Sequence, residues 1–469
     1  MLPEERNHNR TVGNDRRGRC HAGIMSEKSN IVSKVLSTLN HKIDKVFNER
    51  YKRNILNDDS CFTRKGRKTS FRDTMKTVIS FGSDSLPIEM SRYFNDKETL
   101  SITPSGFIQS RAKIKPEAFV QVMNLINKAY PCKRKYKGYR LLAVDGSDLS
   151  IAKDKKDDAS RKSNGENAVP SYMLHINCEY DILNGRYVGC VIQKQKETNE
   201  NEALVAMSDR YEGDKAIFIA DRYYAAYNNM AHLEEHGHKY LIRSKDINSA
   251  TSILKNYFKG KEGEFDEDVS IILTNKQTNF IRENKDKYRT VMSNQTFDYL
   301  DSDNHFYEMR FRVVRIRMDG NKEEYESIIT NLDRDEFPKE EIKDLYMRRW
   351  NIEVSYRHLK YAADLSRTHS VKRDFLMQEI WAKLIMFNIS MIMINCINES
   401  KISKEIRRKD DYKVNVSAAV ELIRSCIKRK GHVPPGLIKQ IASNILPVRH
   451  GRKHSRNVHP QRFVSFNYR

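Results

Sequence analysis

The segment YMRRWNIEVSYRHLK, residues 346–360, holds the residues with the most to say about chemistry. It reads Y-x2-R-x3-E-x6-K, which is Tyr346, Arg349, Glu353 and Lys360. On one helix these four fall at roughly 0, −60, −20 and −40°, a single narrow stripe. Arg357 joins that stripe, and Leu345, Ile352, Tyr356 and Leu359 form an adjacent apolar one suited to a core. A carboxylate flanked by three cations fits a site where one acid holds a metal while its neighbours grip phosphates. An amphipathic helix with a solvated charged face is the competing reading.

Two more carboxylates stand at telling places. RLLAV (140–144) reads as a short buried strand ending at Asp145, and AIFIA (216–220) as another ending at Asp221. The carboxyl ends of strands in an α/β sheet are where sites form. Like charges gathered at close range persist mainly when a divalent cation neutralises them. A set of oxygen ligands selects Mg²⁺ or Mn²⁺ over Zn²⁺. Two such ions about 3.5–4 Å apart can activate a water or a 3′-hydroxyl and stabilise the leaving oxygen of an in-line phosphodiester displacement. For either aspartate alone a turn or helix cap is the commoner role, and Asp148 reads as such a cap.

The elements that must position these acids follow from the surrounding pattern. From residue 138 the order is strand, hairpin with a two-residue turn at Asn184–Gly185, helix (199–210), strand, helix to about His236, and strand (239–244). That order predicts a mixed α/β sheet with an antiparallel edge. Residues 246–305 are Lys/Asn/Asp-rich with strand-like pieces such as VSIILT, and read as a β-rich insertion. Two strong strands joined near Asp319–Gly320 then lead to the Glu353 helix, and a long helix with a buried middle follows over 373–399.

Residues 30–130 carry helical patterns. A helix headed by Ser85 runs to Phe94, and Thr103–Pro104 opens another as N-cap and first helical residue. This is the layout of a helix-turn-helix reader, presenting Gln109, Arg111 and Lys113. A small bundle with merely solubilising charges is the equal alternative. Arg64, Lys65, Arg67 and Lys68 in FTRKGRKTSFR suit phosphate contact better than base readout.

Composition narrows the partner. The 469-residue chain carries a formal net charge of +22, which points to a polyanion, nucleic acid before membrane. Seven cysteines without CxxC pairing read as reduced cytosolic thiols and no zinc site. The apolar run Leu384–Ile394 is too short to span a bilayer and reads as a buried core helix. The first two dozen residues are polar and Arg-rich without an apolar stretch, so the expectation is a disordered basic segment and no signal peptide, with Met25 an alternative start. His450, His454 and His459 in the basic tail lack metal spacing.

With these residues in view, the pattern resembles the DDE transposases of bacterial insertion sequences, specifically the IS-four family defined by its Y-R-E-K signature. Tyr346, Arg349, Glu353 and Lys360 match that signature at every spacing, and Asp145 in DGS and Asp221 in ADRYY match the first two acids by context. The resemblance runs from FTRKGRK to the basic carboxyl end. It implies an α/β, RNase H-like mixed sheet with a β-rich insertion, preceded by a helical DNA-binding domain. The divisions would be 1–29 (basic segment), 30–130 (DNA-binding), 138–245 and 306–400 (catalytic), 246–305 (insertion) and 401–469 (helical and basic).

It further implies that Asp145, Asp221 and Glu353 are catalytic and hold Mg²⁺ or Mn²⁺, two ions per site. Tyr346, Arg349, Arg357 and Lys360 would hold DNA phosphates, with Arg64, Arg67, Lys68, Gln109, Arg111 and Lys113 as further DNA contacts. The reaction would be cut-and-paste transposition in the bacterial cytoplasm, by a homodimer on paired terminal inverted repeats and target DNA, with no membrane or small-molecule partner. Relatives hold a flipped base on a tryptophan of the insertion; here Trp350 and Trp381 both lie outside it. Trp350, or Phe280, Tyr288, Phe297 or Tyr299 of the insertion, would stand in. An inactive or domesticated inverted-repeat binder and a metal-dependent nuclease without strand transfer are the alternatives.

Overall fold

The computed structural model describes residues 16–94, 102–163, 170–255, 257–258, 260–317, 325–398, 412–429 and 431–448. Its amino-terminal third is helical: α1 (Arg16–Asn48), α2 (Arg50–Arg53), α3 (Phe71–Ile79), α4 (Leu86–Phe94), α5 (Pro104–Arg111) and α6 (Glu117–Ala129). Residues 16–29, expected to be disordered, form the first turns of α1; no proline interrupts the chain between Arg16 and Asn48, so the helix pattern of residues 30–50 extends backward. Val32, Val35, Leu36, Leu39, Ile43 and Val46 recur at helical spacing and are buried. The Thr103 hydroxyl accepts from the Gly106 N–H and Pro104 opens α5, as the cap signal requires.

The sheet is mixed. Its strands are β1 (Arg140–Ser150), β2 (Arg161–Lys162), β3 (Ser171–Asp181), β4 (Arg186–Lys194), β5 (Ala216–Ala220), β6 (Lys239–Ser244), β7 (Phe265–Thr274), β8 (Tyr288–Thr290), β9 (Phe306–Arg317) and β10 (Tyr325–Thr330). The order is β2-β3-β1-β5-β6-β10-β9-β7-β8, with β4 also on β3. β1, β5 and β6 run parallel, and β3, β4, β9 and β10 supply antiparallel pairs. A helical amino-terminal region followed by such a sheet is consistent with an RNase H-like core. Helices α7 (Glu200–Ser208) and α8 (Tyr227–Glu235) fall between β4 and β6.

Two expectations need correction here. The β3–β4 connection is four residues, not a two-residue turn, because the Ile182 N–H pairs back to Leu141 and the Asp181 carboxylate takes the Asn184 N–H at 2.8 Å. β1 does not end at Asp145; it continues to Ser150 because β3 pairs with it along its length. Residues 246–305 give β7, β8 and a short helix α9 (Asn279–Glu283), and β7 extends the main sheet by pairing with β9. The turn expected at Asp319–Gly320, the tail histidines and residues 1–15 lie outside the described residues.

After β10 come α10 (Lys339–Met347), α11 (Trp350–Arg357) and α12 (Arg373–Asn398), then β11 (Tyr412–Val414), α13 (Val416–Lys428), α14 (Leu437–Ser443) and β12 (Ile445–Pro447). α12 is long and apolar enough to cross a membrane by composition, yet most of it is buried among the other elements. It carries an unusual load of charge into that core. Glu379 lies 3.0 Å from Arg111, both under 4% exposed, and Lys383 donates to the Phe81 carbonyl. Close by, Lys428 meets Glu89 at 2.7 Å and Arg424 meets Asp364 at 2.9 Å. Arg111 and Gln378 also hydrogen-bond at 2.7 Å, so the amino-terminal helices are bolted to α12 by polar contacts as well as by packing.

Candidate active site

The register of two parallel strands brings the first two acids together. β1 and β5 pair as far as Val144 opposite Ala220, so the next residues along each chain are Asp145 and Asp221. Neighbouring strands lie about 4.8 Å apart, which fixes the backbones of both acids at one edge of that ladder. Asp221 heads a tight turn, and its carboxylate accepts the Tyr223 N–H at 2.8 Å.

α11 brings the third acid. The Tyr356 hydroxyl donates to the Asp145 carbonyl at 2.7 Å, and the Ser355 hydroxyl bonds Tyr187 of β4 at 2.9 Å. Glu353 precedes Tyr356 by three residues and therefore shares its face. Arg349, one turn earlier, bridges the set: its guanidinium is 3.1 Å from Glu353 and 3.8 Å from Asp145. Burial pushes the Asp145 carboxyl up to about 7; Arg349 opposes the rise, while Asp221 and Glu353 add to it. Burial also raises Asp221, with the Tyr223 N–H and Arg349 pulling the other way.

The expected single helical stripe is modified at both ends. Residues 348–349 form a tightened turn between α10 and α11, with the Arg349 N–H bonded to the Tyr346 carbonyl at 2.9 Å. Residues His358–Ala362 then widen into a π turn, a form that collects at functional sites. That turn delivers Lys360 onto β1, where its ammonium donates to the Ser147 hydroxyl (2.7 Å) and the Asp148 carbonyl (2.8 Å). Tyr346 is 5% exposed, its hydroxyl buried beside the Arg349 guanidinium. Arg357 faces solvent, as does Trp350, which is 47% exposed; Trp381 is buried on α12.

The other expected contacts divide. Arg64, Lys68 and Gln109 are exposed, and Arg67 and Lys113 half-buried. Arg111 is a correction: it is buried and paired with Glu379, so its guanidinium cannot reach DNA from this fold. The partner that captures it lies 268 positions away, beyond any local pattern. Of the aromatic stand-ins in 246–305, Phe280 is 61% exposed, Phe297 is buried, and Tyr288 and Tyr299 are half-buried.

The sequence reading missed a second layer. His175 of β3 bridges Asp148 (2.8 Å) and Glu200 (3.0 Å) at the head of α7, and Lys162 joins Asp148 at 3.1 Å. Burial works against the charged imidazole, but hydrogen bonds to the two carboxylates prevail and raise it to about 9. Asp148 in turn falls to about 2, chiefly through His175. A side chain at residue 146 would collide with Glu200 and His175, so glycine between Asp145 and Ser147 is what lets this bridge close. Only that glycine next to an acid hinted at it. Asp209, His232 and His236, at the far end of α7 and on α8, form a separate candidate metal-binding cluster.

The donor chemistry at Asp145, Asp221 and Glu353 fits a hard divalent cation. All three supply oxygens, and burial pushes the Asp145 and Asp221 carboxyls above their ordinary range against the pull of Arg349. One acid within a strand, one just past the end of its parallel neighbour and one on a packed helix come together at this site. Residues 136–389, more than half of the chain, match the family described as Transposase DDE domain, and the chain belongs to that family.

Within it, the chain is related over part of its length to Transposase InsG for insertion sequence element IS4 from Escherichia coli (strain K12), at 40% identity over 55 residues. That stretch spans 11% of this chain and 12% of the relative. A solved piggyBac transposase synaptic complex with hairpin DNA aligns over 92% of this chain and 87% of that one, at 9% identity and a TM-score of 0.40.

Proposed function

We propose that this protein is a transposase that cuts the ends of an insertion element and joins them to target DNA. One observation carries the reading: acids 76 and 132 positions apart, Asp145, Asp221 and Glu353, come together at one place with Arg349 among them. These three would hold Mg²⁺ or Mn²⁺, two ions per site, which when bound activate an attacking water or 3′-hydroxyl and neutralise charge on the phosphodiester. Tyr356 holds the carbonyl of Asp145 and so sets the depth of α11. Arg349 tempers repulsion among the acids, and its planar fork is the group to receive a phosphate beside them.

Lys360 is held on β1 and Tyr346 lies against Arg349; Lys360 and Arg349 would take DNA phosphates, with Tyr346 orienting the guanidinium. Exposed Arg357, Arg64, Lys68 and Gln109 extend the DNA surface, and Trp350 offers an aromatic face for a base. In this reading residues 246–305 are an insertion in a catalytic domain formed by 138–245 and 306–400. The helical 30–130 region binds the terminal inverted repeats, and a homodimer in the bacterial cytoplasm pairs two ends.

A labelled element end, identified from the inverted repeats flanking the reading frame, tests this. Cleavage is expected with Mg²⁺, lost in Asp221→Ala while binding survives; binding without cleavage by the native chain would favour a decayed repeat-binder. Joined target products are expected too, and cleavage without them would favour a nuclease. About 6–10 phosphate contacts should cost around 10³–10⁵ in affinity between roughly 50 and 200 mM salt, and a flat response would contradict a phosphate-dominated interface.

A further inference from the structure

α7 begins beside the acids and ends elsewhere. Glu200 heads it, and Asp209 follows its last residue about 13 Å further on at 1.5 Å per residue. There the Asp209 carboxylate lies 3.0 Å from Nδ1 of His232 and 3.6 Å from Nδ1 of His236. The two histidines sit four apart on and just past α8, with ring planes only 9° from parallel. Tetrahedral ligands at about 2.0–2.1 Å from an ion stand about 3.4 Å apart, so the Asp209–His232 separation approaches one edge of such a site, while His236 donates Nδ1–H to the His232 carbonyl at 2.8 Å and offers Nε2 as its ligand atom. Ligand atoms of all three residues lie within 4.8 Å of one another.

A second observation points the same way. The other ring nitrogen of His232 meets Asp298 at 2.9 Å, and Asp298 is itself fixed by the Asn228 side chain at 2.9 Å. A histidine that binds a metal through one nitrogen almost always has its other nitrogen oriented by a carboxylate in this way. Asp209 and His236 remain partly exposed, which leaves solvent access for the remaining coordination position. The alternative occupant is a proton: a charged His232 can bridge Asp209 and Asp298 with no metal, and His236 then plays no part beyond its 2.8 Å hydrogen bond to the His232 carbonyl.

We propose that Asp209, His232 and His236 bind one borderline transition-metal ion, Zn²⁺ in class, with Asp298 orienting His232. Two imidazoles and one carboxylate suit Zn²⁺ and its neighbours rather than Mg²⁺. The ion fastens the end of α7 to α8, and through Asp298 to the 246–305 segment. This site is independent of the carboxylate centre and of the DNA-cleaving reading. Cysteine spacing gave no reason to expect it; the signal was His-x3-His on a helix.

The test uses the full chain, stripped with chelator and titrated with Zn²⁺ alone in excess Mg²⁺, followed by calorimetry and thermal melting. One Zn²⁺ equivalent and a raised melting temperature are expected, kept in Asp221→Asn and weakened at least tenfold in His236→Ala. His236→Gln, which keeps size and polarity, should lose the same affinity while melting like the native chain in chelator. No Zn²⁺ uptake, or uptake unchanged in both His236 variants, overturns the proposal and leaves the protonated bridge. Loss of the equivalent in Asp221→Asn overturns it by moving the ion to the acids.

Discussion

Two regions of this molecule gather charge, and they settle it differently. At the junction between the amino-terminal helices and α12, each of Glu379, Glu89 and Asp364 has a cation at ion-pair distance. The Glu379 and Glu89 pairs are buried, and Glu379 is held down to about 2 because Arg111 and His369 overcome its burial. At the sheet edge, Asp145, Asp221 and Glu353 share Arg349, and Asp145 is driven up to about 7. The first cluster balances within the fold. The second keeps Asp145 and Asp221 raised by burial in spite of Arg349, and a perturbed carboxyl pair at a sheet end separates a site from a structural ion network more sharply than the number of acids.

The largest expected effect breaks the balanced side. Arg111→Ala strands Glu379 in the core and should cost about 3–5 kcal/mol in denaturant unfolding. A loss under about 1 kcal/mol would mean the junction is not the closed network described, and would return Arg111 to the DNA surface.

Next is the layer behind the acids. His175 has a folded value of about 9 against an ordinary 6.5, so its bridge stabilises fully below about pH 6.5 and fades as pH rises through 9. At about 1.36 kcal/mol per pKa unit this is of order 3 kcal/mol. The alkaline decline should flatten in His175→Gln, and an unchanged slope would assign it elsewhere.

The smallest effect sharpens the unbalanced side. Asp145 is raised, so its ionised form works against the fold above the ordinary carboxylate range. Asp145→Asn at pH 8 in chelator should therefore stabilise by about 1–2 kcal/mol. Added Mg²⁺ should raise the melting temperature of the native chain and not of this variant. A destabilised Asp145→Asn that still responds to Mg²⁺ would place the cation elsewhere.

Local signals proved legible wherever partners were near in sequence. Thr103–Pro104 started α5, the apolar runs 140–144 and 216–220 gave strands, one carrying Asp145 and the other ending just before Asp221, and the signature spacing put Glu353 on a helix facing them. What stayed hidden depended on distant neighbours. Asp145 lies within β1 rather than at its end because β3 decides how long β1 is, and the parallel ladder alone stops there. Arg111 looked like a surface residue on a polar helix until Glu379 claimed it. The π turn at His358–Ala362 follows from where Lys360 must land, which no helical wheel encodes.

The pairing of Val144 with Ala220 has a mechanical side. Because Asp145 and Asp221 extend adjacent strands of one ladder, their backbones cannot part without tearing sheet hydrogen bonds. Glu353 rides on a helix seated through tyrosine and serine hydroxyls, a far softer mount. Two jaws are cast into the sheet, and the third is held by side chains alone, through Ile352 and Tyr356 in the core and the two hydroxyl bonds.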